Sequence, residues 1–558
     1  MAGHAGAGLS FSFNTVAFFD SPRAVDPYPV VVSDPLASTP AVTQFEAGAT
    51  TLDVANLSEW FPAGGNATAW GIRYRVYARH ISGNADNLYE IDLRKSGGNP
   101  ATPTPVQLST AVIAGTGSQP ALCWLGYQVF DDYRSADQSW IVFHAPGTNA
   151  TNCGNAGDQF VAVEASMGPT AAPLVLTTAV SGQSVPNQLQ PVEALYDSTG
   201  LITGFLAISH PPVNASNQPT TRVPLVQLDA RMVVASTLTQ TLTGTGVTGG
   251  SGDFISLGVS AGGIWLYKDS SDVWAVDIAN NASTRVYTIA SGDIVHGRAV
   301  FDGSTAAYVA INNVATGAYV LQIDLSSKAH TVQPPDAAAT GGIDLAGVTS
   351  ANVVYLFSDR TAIKALRKAS LSQTPAVLFA ASGTLTVDGP LGSPNGTPPV
   401  AYLVQDEVYF TVADLGNGNK LAYAAGAGST PTTAAAIGAG SGAVLGTVAG
   451  TFATSGAPVN SGALVVTGGA LSTSLTFSAG ALASYGPTGT LAAPIALGTL
   501  PTTTLALAPL DVSTIPMQAG MPSVLEMTGS NAGQPVNDVG LFVPGTAGSF
   551  KRLTSNMQ

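Results

Sequence analysis

Residues Gly252 to Ala290 read GDFISLGVSAGGIWLYKDSSDVWAVDIANNASTRVYTIA, and this stretch decides how the chain folds. Its apolar residues alternate or gather in short runs, each bounded by Gly, Ser, Asp or Asn. That pattern predicts four short strands, Phe254–Val259, Ile264–Tyr267, Val273–Ile278 and Arg285–Ile289, joined by turns. Nothing in it has the 3.6-residue period of a helix.

The third run of this unit, Val273-Trp274-Ala275-Val276-Asp277-Ile278, has relatives along the chain. They are Leu88-Tyr89-Glu90-Ile91-Asp92-Leu93, Leu225-Val226-Gln227-Leu228-Asp229-Ala230 and Val320-Leu321-Gln322-Ile323-Asp324-Leu325. Phe160–Glu164 carries Glu in place of the Asp, and Ile363–Arg367 carries Arg. Positions 229, 277, 324 and 367 are separated by 48, 47 and 43 residues. Before them, Pro- and Asn-rich insertions lengthen the spacing, as loops do.

Units of this form resemble β-propeller blades, in particular the TolB-like and WD-repeat kinds, whose blades recur at roughly 40–50 residues. The resemblance covers about residues 57–380. Of the Ser-Pro-Asp-Gly turn common in TolB-like blades there are only echoes, at Phe61-Pro62-Ala63-Gly64-Gly65 and Phe301-Asp302-Gly303-Ser304. It implies an all-β fold: one large β-propeller of eight four-stranded blades, with seven to nine compatible with the spacing. A blade cannot bury both faces alone, so stacking supplies the missing surface. Residues 1–50 are expected to be a spacer with strands that close the ring beside Ser549–Leu553. Residues 51–558 are expected to be the propeller, with about 434–499 a small-residue blade or insertion of Ala, Gly, Thr and Ser.

Composition agrees. Hydrophobic residues make up 45% of the 558, ample for a core, while charged residues are only 10%. The 62 Gly and 36 Pro suit a protein of many turns. A net charge of −14 argues against nucleic acid and against an anionic membrane surface. No apolar run is long enough for a transmembrane helix. The N-terminus, MAGHAGAGLS, lacks a basic region and an apolar region, and reads as a start, or a spacer, from which an export signal is missing. Export, to the periplasm, outer surface or exterior, is therefore the expected localisation. Cys123 and Cys153 are the only cysteines and fall in one unit. An isolated pair favours a disulfide, with two buried free thiols as the alternative.

Candidate chemistry is sparse. Gly258-Val259-Ser260-Ala261-Gly262 matches the nucleophile-elbow pattern, but strands flank it and no helix follows, so a tight turn is expected and no catalytic residue is assigned. The six histidines have no metal-ligand spacing. Asp131 and Asp132, and Asp414 in Asp-Leu-Gly-Asn-Gly-Asn, offer oxygens that suit Ca²⁺, against a plain reading as turn residues. Arg73, Arg75 and Arg79 share one face of a strand in a chain with 20 Lys and Arg in all. They read as an anion-binding patch or as a solvated face paired with Glu90 and Asp92. Most of the six tryptophans fall at strand positions that pack between blades. The expected function is an exported, cell-surface binding or scaffolding module using loops on one face, with a protein or polysaccharide partner. The alternative is an extracellular polysaccharide-active hydrolase or lyase with its site at the propeller mouth.

Overall fold

The computed structural model describes separate strands between residues 15 and 178. Beyond them it describes 187–197, 201–210, 223–242, 254–269, 271–388, 401–437, 442–452, 458–467, 479–485, 495–500, 504–509, 517–518 and 523–555. The described strands fall into ten sheets. The three N-terminal strands, Thr15–Asp20, Tyr28–Ser33 and Ala41–Gln44, pair with one another. Nine sheets of four or five strands follow in chain order among the described residues. The last takes its strands from Thr504–Pro509, Ser523–Asn531, Gln534–Phe542 and Lys551–Arg552.

Each of the nine is an antiparallel meander in which hydrogen-bonded neighbours follow in sequence, with minor additions. Met517–Gln518, for example, joins Gly442–Phe452 in parallel. The opening stretch forms its own sheet of Phe254–Val259, Ile264–Asp269, Asp272–Asp277 and Ala282–Thr288. Every copy of the repeated run is the third long strand of its sheet: Ala85–Asp92, Gln159–Glu164, Val223–Asp229, Asp272–Asp277, Tyr319–Asp324 and Ala362–Arg367.

The recurrent Asp has a local cause. At the end of the third strand its carboxylate accepts from backbone N–H groups of the turn that follows. Asp229 Oδ1 takes Arg231 N at 2.9 Å and Val233 N at 3.0 Å. Asp277 takes Asn280 N at 3.0 Å, and Asp324 takes Ser326 N at 2.9 Å and Ser327 N at 2.7 Å. Asp324 is thereby held far below the ordinary carboxylate range, chiefly by the Ser327 N–H and the Ser326 hydroxyl. Asp277 is lowered too, first by the Asn280 side-chain amide and then by its N–H.

The core lies between sheets. In Ile202–His210, Phe205 and Ala207 pack toward the preceding sheet with Trp140 and Leu228, while Leu206 and Ile208 pack toward the next with Trp265 and Tyr267. The alternation repeats: Leu266 faces Val309 and Leu321, and Tyr308 faces Val353 and Tyr355. Val354 and Leu356 face Val408 and Phe410, Tyr409 faces Val444 and Val465, and Leu464 faces Leu525 and Phe542. Second strands are thus buried on both faces, which explains their unbroken apolar runs. Fully burying one such side chain is worth about 1.5–3 kcal/mol. Trp140 and Trp265 are buried, as expected from their strand positions. The small-residue stretch at 442–499 forms a meander of Gly442–Phe452, Pro458–Thr467, Ala479–Tyr485 and Ile495–Thr499.

Candidate functional site on the first strands

The first strands of successive sheets run beside one another, from Asn187–Tyr196 through Phe254–Val259, Ile294–Asp302 and Ile343–Val348 to Thr504–Pro509. They are therefore the inner strands of the series. Each of the first four carries a bulge: between Pro191 and Glu193, Ser256 and Gly258, His296 and Val300, and Leu345 and Gly347. A bulge bends its strand and redirects side chains. The one at His296 depends on Gly297, whose φ of 69° is open to glycine at no steric cost.

These strands bring four polar side chains from three sheets into two pairs, whose members His296 and Arg298 lie on one strand. Arg298 Nη2 donates to Glu193 Oε1 and Oε2, at 2.8 Å each. Glu193 is 9% exposed and also accepts from Ser256 Oγ at 2.6 Å, and Ser256 Oγ in turn accepts from Trp265 Nε1 at 3.0 Å. The carboxylate is thus fixed by donors from the next two sheets in the chain. Gly258 makes room for this: a Cβ there would lie 3.0 Å from Phe301 and 3.3 Å from Arg298 Nη2.

Two residues before Arg298, His296 Nε2 lies 2.6 Å from Asp344 Oδ1. Ser358 Oγ donates to the other Asp344 oxygen at 3.0 Å. A carboxylate can only accept, so Nε2 carries the imidazole proton and Nδ1 faces away from Asp344. The Arg298 side chain is 66% exposed and that of His296 48%, so both present polar atoms to solvent while an acid fixes their position.

The residues singled out from the sequence lie elsewhere. Arg73, Arg75 and Arg79 sit in Gly71–His80, the second strand of its sheet, where the register sets them opposite Asp92, Glu90 and Asp86. Glu59 stands opposite Arg79 on the other side. Asp414 ends Glu407–Asp414, and its Oδ1 accepts from Gly416 N at 2.9 Å and from the Thr384 hydroxyl. Those bonds, the hydroxyl first, hold its carboxyl below the ordinary range and give it the same turn-capping role as Asp324. Among the described residues no group of three or more His, Cys, Asp or Glu is gathered as a metal site. Asp131, Asp132, Cys123 and Cys153 lie outside the described residues.

Ser260 stands in a tight turn, as expected. Its N–H donates to Ile264 O at 2.9 Å, its hydroxyl accepts from Ile264 N at 3.1 Å, and a strand follows. No helix of the described residues is long and apolar enough to cross a membrane. One pointer to the inner pairs is local: His296-Gly297-Arg298 interrupts the apolar run of its strand.

Consecutive four-stranded antiparallel meanders, packed face to face with their first strands together, are blades of a β-propeller. The resemblance seen in the repeated units holds at that level. No protein-family model matches the chain, and no curated protein matches it in sequence. Among solved structures it is similar to an oligogalacturonate lyase in complex with manganese, at 11% identity and a TM-score of 0.28, over 66% of this chain and 99% of that one. It is also similar to an oligogalacturonate lyase from Vibrio parahaemolyticus, at 8% identity and a TM-score of 0.30, over 74% and 96%. A third is Porphyromonas gingivalis dipeptidyl peptidase 4, at 8% identity and a TM-score of 0.34, over 94% of this chain and 65% of that one. Likeness at these scores carries no argument about chemistry, and the site is read from this chain's own residues.

Proposed function

We propose that this chain is an exported β-propeller that works as a binding module, and that the inner strands around Glu193, Arg298, His296 and Asp344 form its binding face. One observation carries the reading. Four polar residues from three sheets are held in fixed pairs, yet Arg298 and His296 keep more than half and nearly half of their side-chain surface open. Fixed, half-open polar groups are what a binding site uses to set orientation and specificity. The acids of the site are engaged, Glu193 by Arg298 and Ser256 and Asp344 by His296 and Ser358, and this favours recognition over hydrolysis. A role at the cell surface, with a protein or polysaccharide partner and with the N-terminal strands closing the ring, belongs to the same proposal.

A second reading keeps one observation in its favour. An exposed imidazole oriented by a carboxylate, as His296 is by Asp344, has the form of a general base, and a polysaccharide-active hydrolase or lyase would need one. A thermal-shift screen against oligosaccharides, followed by turnover assays on each hit, separates the two. Binding raises the melting temperature by mass action. A hit bound without turnover and lost in Arg298→Ala supports the binding module. Turnover abolished in His296→Ala overturns it in favour of the enzyme.

A further inference from the structure

We infer that the inner-strand site takes a hydroxy-carboxylate: Arg298 receives the carboxylate, and Nδ1 of His296 accepts the proton of a neighbouring hydroxyl. The inference rests on the binding-face reading and specifies its ligand. Arg298 spends only Nη2 on Glu193, so the hydrogens of Nε and Nη1 have no partner among the described residues. A guanidinium with donors left over, on a side chain 66% exposed, is matched by a carboxylate in geometry and charge.

The second half comes from the imidazole. With Nε2 committed to Asp344 as a donor, Nδ1 of the neutral imidazole is an acceptor, and no described residue donates to it. Two carboxylates already stand in the site beside one guanidinium. A monoanion with a neutral donor is therefore accommodated better than a dianion such as phosphate. Ile294 lies two residues before His296, on the same face of the strand, and at 62% exposure offers an apolar contact for the ligand's carbon skeleton.

The test titrates the full chain with L-lactate, propionate, 1,2-propanediol and inorganic phosphate. Tryptophan emission is one readout, because Trp265 is hydrogen-bonded through Ser256 to Glu193; calorimetry is the second. Saturable binding of lactate is expected, with propionate several-fold weaker and propanediol unbound. Arg298→Ala should weaken lactate by about tenfold or more, the scale of a charge-assisted hydrogen bond. His296→Phe should bring lactate down to the level at which the same variant binds propionate. Equal binding of lactate and propionate, tighter binding of phosphate, or lactate binding indifferent to Arg298→Ala would each overturn the assignment, as would no saturation by lactate. The binding-face reading fails separately: it falls if hits from the oligosaccharide screen survive Arg298→Ala, whatever lactate does. Melting curves of both variants confirm that they are folded before affinities are compared.

Discussion

Arg298 grips both carboxylate oxygens of Glu193 through a single nitrogen, at 2.8 Å each, across 105 residues of sequence and between sheets that are not neighbours in the chain. The sheet between them contributes Ser256 to the same carboxylate. Three consecutive blades thus meet at one acid, which is possible only where first strands converge. The bulge beside Gly297 turns Arg298 toward that point.

Gly258 should be intolerant of a side chain for two separable reasons. Its φ of 114° strains any L-residue, and a Cβ would press on Phe301 and Arg298. Gly263, with φ of 75° and nothing within 4 Å, carries only the first cost. Gly258→Ala should lose about 1–3 kcal/mol, the scale of a strained backbone position. Gly263→Ala should lose less. Chemical denaturation of both variants checks the order, and equal losses would remove the claim that Gly258 clears space for Arg298.

Burial on both faces of second strands predicts an asymmetry across a blade. Leu266 is fully buried, so Leu266→Ala should cost about 2–5 kcal/mol, through lost transfer energy and the cavity left behind. Val332, on the fourth strand of the next sheet, is 36% exposed, and Val332→Ala should stay within about 0.5 kcal/mol. Similar losses at both sites would mean that the sheets do not stack as described.

The turn-capping acids give the fold an acid limb. Asp277 and Asp324 have folded values below their unfolded ones, because backbone and side-chain donors favour the charged form. Their stabilisation is complete above the ordinary carboxylate range and is lost as pH falls through the lowered folded values. The variant Asp277→Ala with Asp324→Ala should melt below wild type at pH 7, and the gap should narrow on acidification. Melting temperatures from pH 7 to pH 3 test this; a gap that stays constant would leave the caps without a role in the pH dependence.

How much of this was legible in the sequence depends on the range of the interaction. The run ending at Asp277 announced a strand and a turn because both are local: alternating apolar residues, then an acid three residues before the N–H it accepts. The order of strands within each sheet followed from the same locality. The inner pairs did not, since Glu193 and Arg298 are 105 residues apart, and His296 and Asp344 are 48 apart. Only the bulges, invisible to a period-two reading, bring them together. For Arg73, Arg75 and Arg79 the sequence placed three cations on one strand, while the positions opposite them, Asp92, Glu90 and Asp86, follow only from strand register. The 434–499 stretch was hard to read because its strands bury small residues, such as Ala463 beside Val465, where periodicity is faint.

First strands of separate blades meet at one polar site, and a double-mutant cycle between Glu193→Gln and Arg298→Ala measures that meeting directly. Arg298 is largely exposed, so water weakens the pair, and a coupling of about 0.5–1 kcal/mol is expected, larger at low salt than at high. Additive losses, with no coupling at low salt, would mean that the two side chains do not meet and that the proposed binding face is not assembled.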